Sequence, residues 1–319
     1  TGSEGRNGGL YPRSNSANTV LSAVRLKIQS LGIEERCDFD VTKIGRIKNG
    51  YKLYSKNGEV ECRRVIIACG GYAGPAFGTD GGMLRLLRDM GLNSAKICPA
   101  VAPLRVAPES VKGLKGVRIK GEVSAFSDGK LLRKEAGEIQ FNENNLSGIC
   151  VFNLAYLFQQ YEGRLTLRAD LFPQITENDL YEYLADNVRI DRGDYPLEEF
   201  LTGIFVKNLA IYLVKKAVGR SLDDKIKSLK NGEIRRIASL IKSIEFEVAG
   251  CSPWQNAQVT MGGITAECVN GKLETLKYKG MYLCGEILDV AGDCGGYNLQ
   301  WAWSSGIWAG RNCALSLKG

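Results

Sequence analysis

The sequence predicts an α/β protein whose two flanks form one layered domain around an inserted β-plus-helical domain. Three observations carry that reading. Val65-Ile66-Ile67-Ala68-Cys69 is an unbroken apolar run that suits a strand buried on both faces, and amphipathic helical patterns lie on either side of it. After Gly91 the texture changes to short strand-like runs separated by Gly and Lys, then to helical periodicity. At Gln258 the buried-strand texture returns. The expected boundaries are 1–95 and 255–319 for the outer domain and 96–254 for the insert, β-rich to about 175 and helical after it.

Each element has a local reason. From Ser16 to Leu31 the residues Val20, Leu21, Val24, Ile28 and Leu31 recur at helical spacing, with Ser14 and Ser16 as caps and Gly32 as a stop. Cys37 to Ile44 reads as a strand. Tyr51–Ser55 and Glu59–Cys62 flank Asn57-Gly58, a hairpin signal. Thr79 is expected to cap a helix carrying Met83, Leu84, Leu86, Leu87 and Met90, closed by Gly91. Ala100–Val106 and Val117–Phe126 read as strands of a small β domain. From Thr176 to about Ser243 the pattern is helical, with Ile204, Phe205, Leu209, Tyr212, Leu213 and Ala217 on one face and breaks at Gly219 and Asn231-Gly232. Val259–Met261 and Met281–Cys284 are strand-like. A helix from about Asn298 to Leu317 follows, with Ala302, Gly306, Ala309 and Cys313 on one face.

Composition narrows the chemistry. The chain of 319 residues is 44% hydrophobic and 24% charged, enough to bury a sizeable core. It contains no histidine, which removes His-based triads, His-containing zinc sites and a His general base. The net charge of +7 is spread among acids, so no nucleic-acid partner is expected. The longest apolar stretch, Leu146 to Phe158, is too short and too broken to span a bilayer, so no membrane association is expected. Ten cysteines stand singly with no C-x-x-C pair, which reads as reduced thiols of a cytoplasmic protein. The chain begins Thr1-Gly2-Ser3-Glu4-Gly5, which reads as a tag remnant or as the continuation of an upstream segment.

The segment richest in chemistry is Gly285 to Asn298. A strand ends at Gly285, Glu286, Asp289 and Asp293 follow, and Gly295-Gly296 feeds a helix. A helix N-terminus offers free N–H groups and partial positive charge, and glycines let a ligand approach them. Two other readings remain at this point: a tight strand–helix turn with Asp293 near the cap, and a hard-cation site on the three acids, for which one loop offers few ligands. Arg13 is either a cofactor contact or part of a helix-approach loop. Arg118, Lys120, Lys277 and Lys279 either steer an acidic substrate or are solvated surface. Cys69, Cys284 and Cys294 sit near the site with no sequence neighbour to activate them. Trp301, Trp303 and Trp308 read as packing.

Val65 to Gly71 resembles the strand-plus-"A-T-G" motif of flavoproteins with two dinucleotide-binding domains. Thr275 followed by Tyr282-Leu283-Cys284-Gly285-Glu286 resembles their C-terminal "T-x6-hydrophobic-G-D" motif, with Glu in the acid position. Tyr11-Pro12-Arg13-Ser14, Leu114–Val117, Leu146-Ser147-Gly148, Thr260-Met261-Gly262-Gly263 and Gly292-Asp293 through Trp301-Ala302-Trp303-Ser304-Ser305-Gly306 are similar to the bacterial NAD(P)/FAD-dependent, aminoacetone-oxidase-like oxidoreductases. The resemblance runs from about Gly9 to Leu317. It implies a Rossmann-like FAD-binding domain interrupted by the insert, and a flavin-dependent enzyme moving hydride between NAD(P)H or a small organic substrate and FAD. Its implied cofactor contacts are Ala68, Gly70 and Gly71 near the adenosine–diphosphate half, with Glu286, just after Gly285, on the ribitol hydroxyls. Asp293, Gly295, Gly296, Asn298 and Leu299 are implied at the flavin ring. No catalytic residue and no metal ligand is implied.

The resemblance departs at the front, because no G-x-G-x-x-G turn for the FAD pyrophosphate occurs in the chain. The Rossmann-like domain is therefore expected to be incomplete at its N-terminus and the chain as given to hold no FAD tightly. A bare monomer would leave Val65–Cys69 on an open edge, so an upstream segment or a partner copy is expected to cover it. Two readings from other classes stand beside the enzyme: a truncated, non-catalytic binding or assembly module, and a basic RNA-binding relative of the fold.

Overall fold

The computed structural model describes residues 2–4, 9–161, 165–189 and 193–318. Thr1 and Gly5 of the opening stretch, and residues 190–192 of the helical pattern, lie outside them. The chain divides into two compact units. One comprises Thr1–Gly71, Asp80–Ala95 and Gly262–Gly319, the other Tyr72–Thr79 and Lys96–Met261.

The first unit opens with β1 (Gly2–Glu4) paired antiparallel to β2 (Leu10–Pro12). Helix α1 (Ala17–Ser30) follows, and none of its residues is buried, so the apolar face read from its sequence lies at the surface of this chain. The strand expected over Cys37–Ile44 is instead β3 (Lys43–Ile47). Asp38 takes a left-handed φ of 55°, and its carbonyl accepts the Asn57 side-chain amide, which makes a turn of the start of that span. β3 pairs with β4 (Gly50–Ser55), and β4 with β5 (Gly58–Cys62) around a turn at Lys56-Asn57, with Gly58 already paired to Ser55.

β6 is only Val65–Ile67, and it is not buried on both faces: Ile67 is buried while Ile66 is 39% exposed. Its one described neighbour is a parallel strand on a single side, so half of the apolar run has nothing to pack under. α2 (Gly82–Asp89) starts three residues after Thr79. The Asp80 carboxylate accepts the Gly82 N–H at 2.7 Å and pairs with Arg85 at 2.7 Å, so it marks the helix start in place of Thr79. Leu84 and Leu87 form the buried face of α2.

The second unit is built on a closed barrel. β7 (Cys98–Ala100) lies outside it; β8 (Leu104–Val106), β9 (Arg118–Ser127), β10 (Lys130–Phe141) and β11 (Asn145–Ser147) are followed by short helices α3 (Ile149–Phe152) and α4 (Leu157–Gln160), then β12 (Leu165–Asp170). Three helices come next: α5 (Glu177–Arg189), α6 (Lys207–Val218) and α7 (Asn231–Lys242). The expected break at Asn231-Gly232 is the first turn of α7, where the Glu233 carboxylate accepts the Lys230 N–H at 2.9 Å. The last barrel strand, β13 (Ile244–Cys251), arrives only after these helices and closes the order β10-β11-β8-β13-β12-β9. Alternate residues fill the interior, among them Val123, Ala125, Ile139, Phe141, Leu167 and Phe246.

Against the expected boundaries, 72–79 and 255–261 belong to this second unit. Thr260 Oγ1 accepts the Tyr72 and Ala73 N–H groups at 2.8 and 3.0 Å, and the Tyr72 ring lies 5.3 Å from Trp254. β14 (Val259–Met261) pairs antiparallel with β7.

The chain returns to the first unit at Gly262. β15 (Met281–Leu283) runs parallel to β6 in the register Met281–Val65, Tyr282–Ile66 and Leu283–Ile67. α8 (Tyr297–Leu315) packs through Ser305, Ala309 and Asn312, not through the Ala302–Gly306 edge of the small-residue face; Ala302 is exposed. The face is turned by about one residue because Ala309 and Cys313 seat against Tyr282 and Cys284, while Ser305 reaches the chain just beyond β15.

Candidate functional site

Two neighbouring parallel strands place their carboxyl ends side by side, and that is where open α/β sheets bind ligands. The Cys284 N–H extends the pairing by donating to the Ile67 carbonyl at 3.1 Å. Beyond this point one chain runs through Ala68, Cys69, Gly70 and Gly71, the other through Gly285 and Glu286. Ala68 is exposed, Gly70 and Glu286 are half-buried, and Gly71 and Gly285 are buried. The two strand-end motifs, 217 residues apart in sequence by the spacing of Ile67 and Cys284, thus lie on adjacent strands.

Helix α8 holds Gly285 by both of its main-chain polar groups. Its N–H donates to Ser305 Oγ at 2.9 Å, and its carbonyl accepts from Trp301 Nε1 at 3.1 Å. Ser305 Oγ in turn donates to the Trp301 carbonyl at 2.6 Å. Trp301, which the sequence reads as packing, and Ser305, to which it gives no role, are therefore positioning residues. Their signal was the Trp301-Ala302-Trp303-Ser304-Ser305-Gly306 string, which carried the resemblance without a role for either side chain.

A second clamp comes from Gly263 and Ile264. Ile264 donates to the Ile287 carbonyl at 2.9 Å and accepts from the Asp289 N–H at 2.9 Å. Gly263 has φ 141°, and a Cβ there would lie 2.8 Å from the Ile287 oxygen and 2.9 Å from the Leu288 carbonyl carbon. Only glycine permits that approach. Gly263 and Ile264 thus support the loop after Gly285.

The loop enters α8 through a third device. Asn298 accepts the Gly292 N–H at Oδ1 and donates from Nδ2 to the Gly292 carbonyl, both at 2.8 Å. Its side chain is committed to the loop. Gly296 caps the helix in the left-handed region with φ 95°; it offers no side-chain cap, and the first turn holds no acid. The helix therefore presents its N-terminal amides and about half a positive charge. Gly295 and Gly296 are exposed, Asp293 is half-buried ahead of them, and Leu299 is 69% exposed on the first turn.

The remaining candidates sort by their partners. Glu286 is half-buried while Asp289 is exposed, and no cluster of three acids or cysteines suited to a metal occurs among the described residues. Burial, then the adjacent Cys69, pushes the buried Cys284 thiol up; burial, then Asp293, does the same to Cys294. Both stay protonated near neutral pH, the reverse of what a thiolate nucleophile needs. Lys277 is a clip: its ammonium donates to the Met90 carbonyl at 2.8 Å. Arg118 lies 3.6 Å from Glu138.

A parallel strand pair with glycine-rich carboxyl ends, leading into an open helix N-terminus, defines the class as a mixed α/β, Rossmann-domain protein. The family described as HI0933-like protein Rossmann domain matches residues 2–312, and the chain belongs to it. It is 32% identical over 314 residues to a 3-dehydro-bile acid delta(4,6)-reductase of Clostridium scindens, covering 97% of this chain and 76% of that protein. Two ribosomal RNA dihydrouridine synthases are similar at lower identity. The Haemophilus influenzae protein is 24% identical over 94% of this chain and 73% of its own length; for the Escherichia coli protein the figures are 26%, 95% and 72%.

Proposed function

We propose that this chain is the flavin-side framework of an FAD-dependent oxidoreductase that reduces a small organic substrate with electrons from NAD(P)H, close to the aminoacetone-oxidase-like group. The observation that carries the reading is the junction of Gly285 and Glu286 with the uncapped start of α8, held by Trp301, Ser305 and Asn298. Bound FAD would supply the hydride chemistry between donor and substrate, with water supplying the proton that completes the reduction.

The residues fit the flavin-ring half of the cofactor. Main-chain N–H groups at Gly296, Tyr297 and Asn298 would face the ring edge where negative charge grows on reduction, and the helix dipole has the sign that stabilises it. Glu286 would accept hydrogen bonds from the ribityl hydroxyls, and Ala68, Gly70 and Gly71 would leave room for the rest of the molecule along β6. Asp293 and Leu299 would border the ring. No G-x-G-x-x-G turn is present in the chain, so no residue is assigned to the pyrophosphate. Burial pushes the Cys284 thiol up, so no thiolate role is assigned to it.

Substrate choice divides two readings. The similarity to a bile acid reductase supports a small organic acceptor. The similarity to two enzymes named for ribosomal RNA brings RNA in as the second reading, against the expectation drawn from net charge. Assaying NADH and NADPH oxidation with FAD present, first with a 3-oxo bile acid that carries the delta(4,6) double bonds and then with ribosomal RNA, separates them. Turnover with neither acceptor, in a protein that binds flavin, would favour the non-catalytic binding module.

A further inference from the structure

The strand pair has a second end. Arg63 and Arg64 immediately precede β6, and Lys279 precedes β15 by two residues, so these cations gather at the amino ends of the strands. Three residues of strand, roughly 10 Å, separate them from the glycine turns. Here the first unit has a concavity of about 400 Å³ whose walls include Arg46, Lys48, Arg63, Arg64 and Lys279 and no acidic residue. Clefts for small ligands run from about 300 to 1,000 Å³.

The five cations are not equivalent. Arg64 is structural: its Nε donates to Ser316 Oγ and a terminal nitrogen to the Ser316 carbonyl, both at 2.9 Å, and the other terminal nitrogen to the Arg63 carbonyl at 3.0 Å. These bonds cap the C-terminus of α8 with a cation, as the helix dipole favours. Arg46, Lys48, Arg63 and Lys279 have no carboxylate partner among the described residues. Other cations of the same unit do, as Lys52 does with Glu59 and Glu61. Glu274, on the approach to β15, accepts the Gly280 N–H at 2.7 Å and does not line the concavity.

The frame around these charges is fixed. Tyr51 is 1% exposed, and its hydroxyl donates to the Lys279 carbonyl at 2.6 Å, tying β4 to the approach of β15. The bond fixes the backbone that carries Lys279, while the four cationic side chains themselves are exposed. Four uncompensated cations brought from three chain segments into one concavity repel one another, and the half negative charge at the end of α8, already capped by Arg64, offsets little of that.

We propose that this concavity is a phosphate-binding site, separate from the glycine turns at the other strand ends. Arg46 and Arg63 offer planar forks suited to phosphate oxygens, and Lys48 and Lys279 act as point charges. The phosphate belongs either to a free polyphosphate-bearing small molecule or to an RNA backbone crossing this face.

The test uses the full chain and two probes. Inorganic tripolyphosphate is titrated by calorimetry, and a labelled single-stranded RNA of about 12 nucleotides by fluorescence anisotropy, at roughly 50 and 200 mM salt. The expected result is saturable one-to-one binding of at least one probe, weakened about tenfold or more in Lys48→Glu/Arg63→Glu, with thermal stability unchanged. If that variant fails to fold, Lys48→Gln/Arg63→Gln is read in its place, with a smaller loss expected. Tighter RNA binding that falls steeply with salt and is displaced by tripolyphosphate assigns the backbone as the source; tripolyphosphate binding with none to RNA assigns a free ligand. Binding of neither probe, or undiminished binding by the folded variants, overturns the proposal.

Discussion

Replacing Ser305 with Ala removes the acceptor that a buried main-chain donor depends on. Gly285 is buried, and its N–H points at Ser305 Oγ at 2.9 Å. Ser305 is itself 2% exposed, so solvent does not readily take over the bond. A buried donor left without an acceptor costs about 1–3 kcal/mol. Alanine returns up to about 0.5 kcal/mol in helix propensity. The net loss expected is about 1–2 kcal/mol, which for a folding unit of 150–250 residues lowers the melting temperature by roughly 2–8 °C. Tryptophan fluorescence during thermal and urea unfolding is the assay, because Trp301 donates to the other side of Gly285 and reports the same junction. Ser304→Ala is the control. Ser304 is exposed and bonds only to Gln300 among the described residues, so its loss is expected within about 0.5 kcal/mol. A Ser305→Ala protein as stable as the control would refute the claim that α8 holds the strand end through this hydroxyl.

Further outcomes follow from the same geometry. Gly263→Ala places a Cβ against the Ile287–Asp289 backbone at a positive φ, and a loss of about 2–4 kcal/mol is expected in urea melts; a loss below 0.5 kcal/mol would mean the two segments separate freely. Glu286→Ala is expected to weaken flavin binding about tenfold or more while the melting temperature stays within a few degrees, read by flavin titration and calorimetry side by side; unchanged affinity removes the residue from the cofactor's contacts. Burial holds the Cys150 and Cys251 thiols up to about 12 from a reference of 9.0. A raised pKa in the folded state means their contribution is complete below about pH 9 and drains away as pH climbs toward 12, at up to about 1.4 kcal/mol per unit for each group. Urea midpoints measured from pH 8 to 11 should therefore fall above 9, and a flat profile would contradict the burial of these thiols.

Much of the candidate site's backbone framework was legible because it is built on short, local rules. An apolar run that ends in Gly70-Gly71 and another that ends in Gly285-Glu286 are strand ends wherever they occur, and the structure pairs them in parallel. The hairpin at Asn57-Gly58 and the helix after Gly296 were legible for the same reason. What escaped depends on partners distant in sequence. β13 joins the barrel only after three helices, so nothing local to 244–251 announces a strand that belongs with β8 and β12. β10 is rich in charge because its outward residues face solvent, and its alternation hides in Lys130–Glu138. The role of Thr260 lies in accepting two amides from Tyr72 and Ala73, nearly two hundred residues earlier, which moves the domain boundary. Ile66 was misread because a continuous apolar run does not say how many strands flank it.

The junction of Gly285, Glu286 and the start of α8 is proposed to receive a flavin ring. Titrating FAD into the purified chain and following the visible flavin band and its fluorescence tests it directly, with Glu286→Ala titrated alongside. Because the chain has no pyrophosphate turn, weak but saturable one-to-one binding is expected, weaker still in the variant, while both proteins unfold at the same temperature. No saturable change with the folded protein, or a change of equal affinity in both, would contradict it.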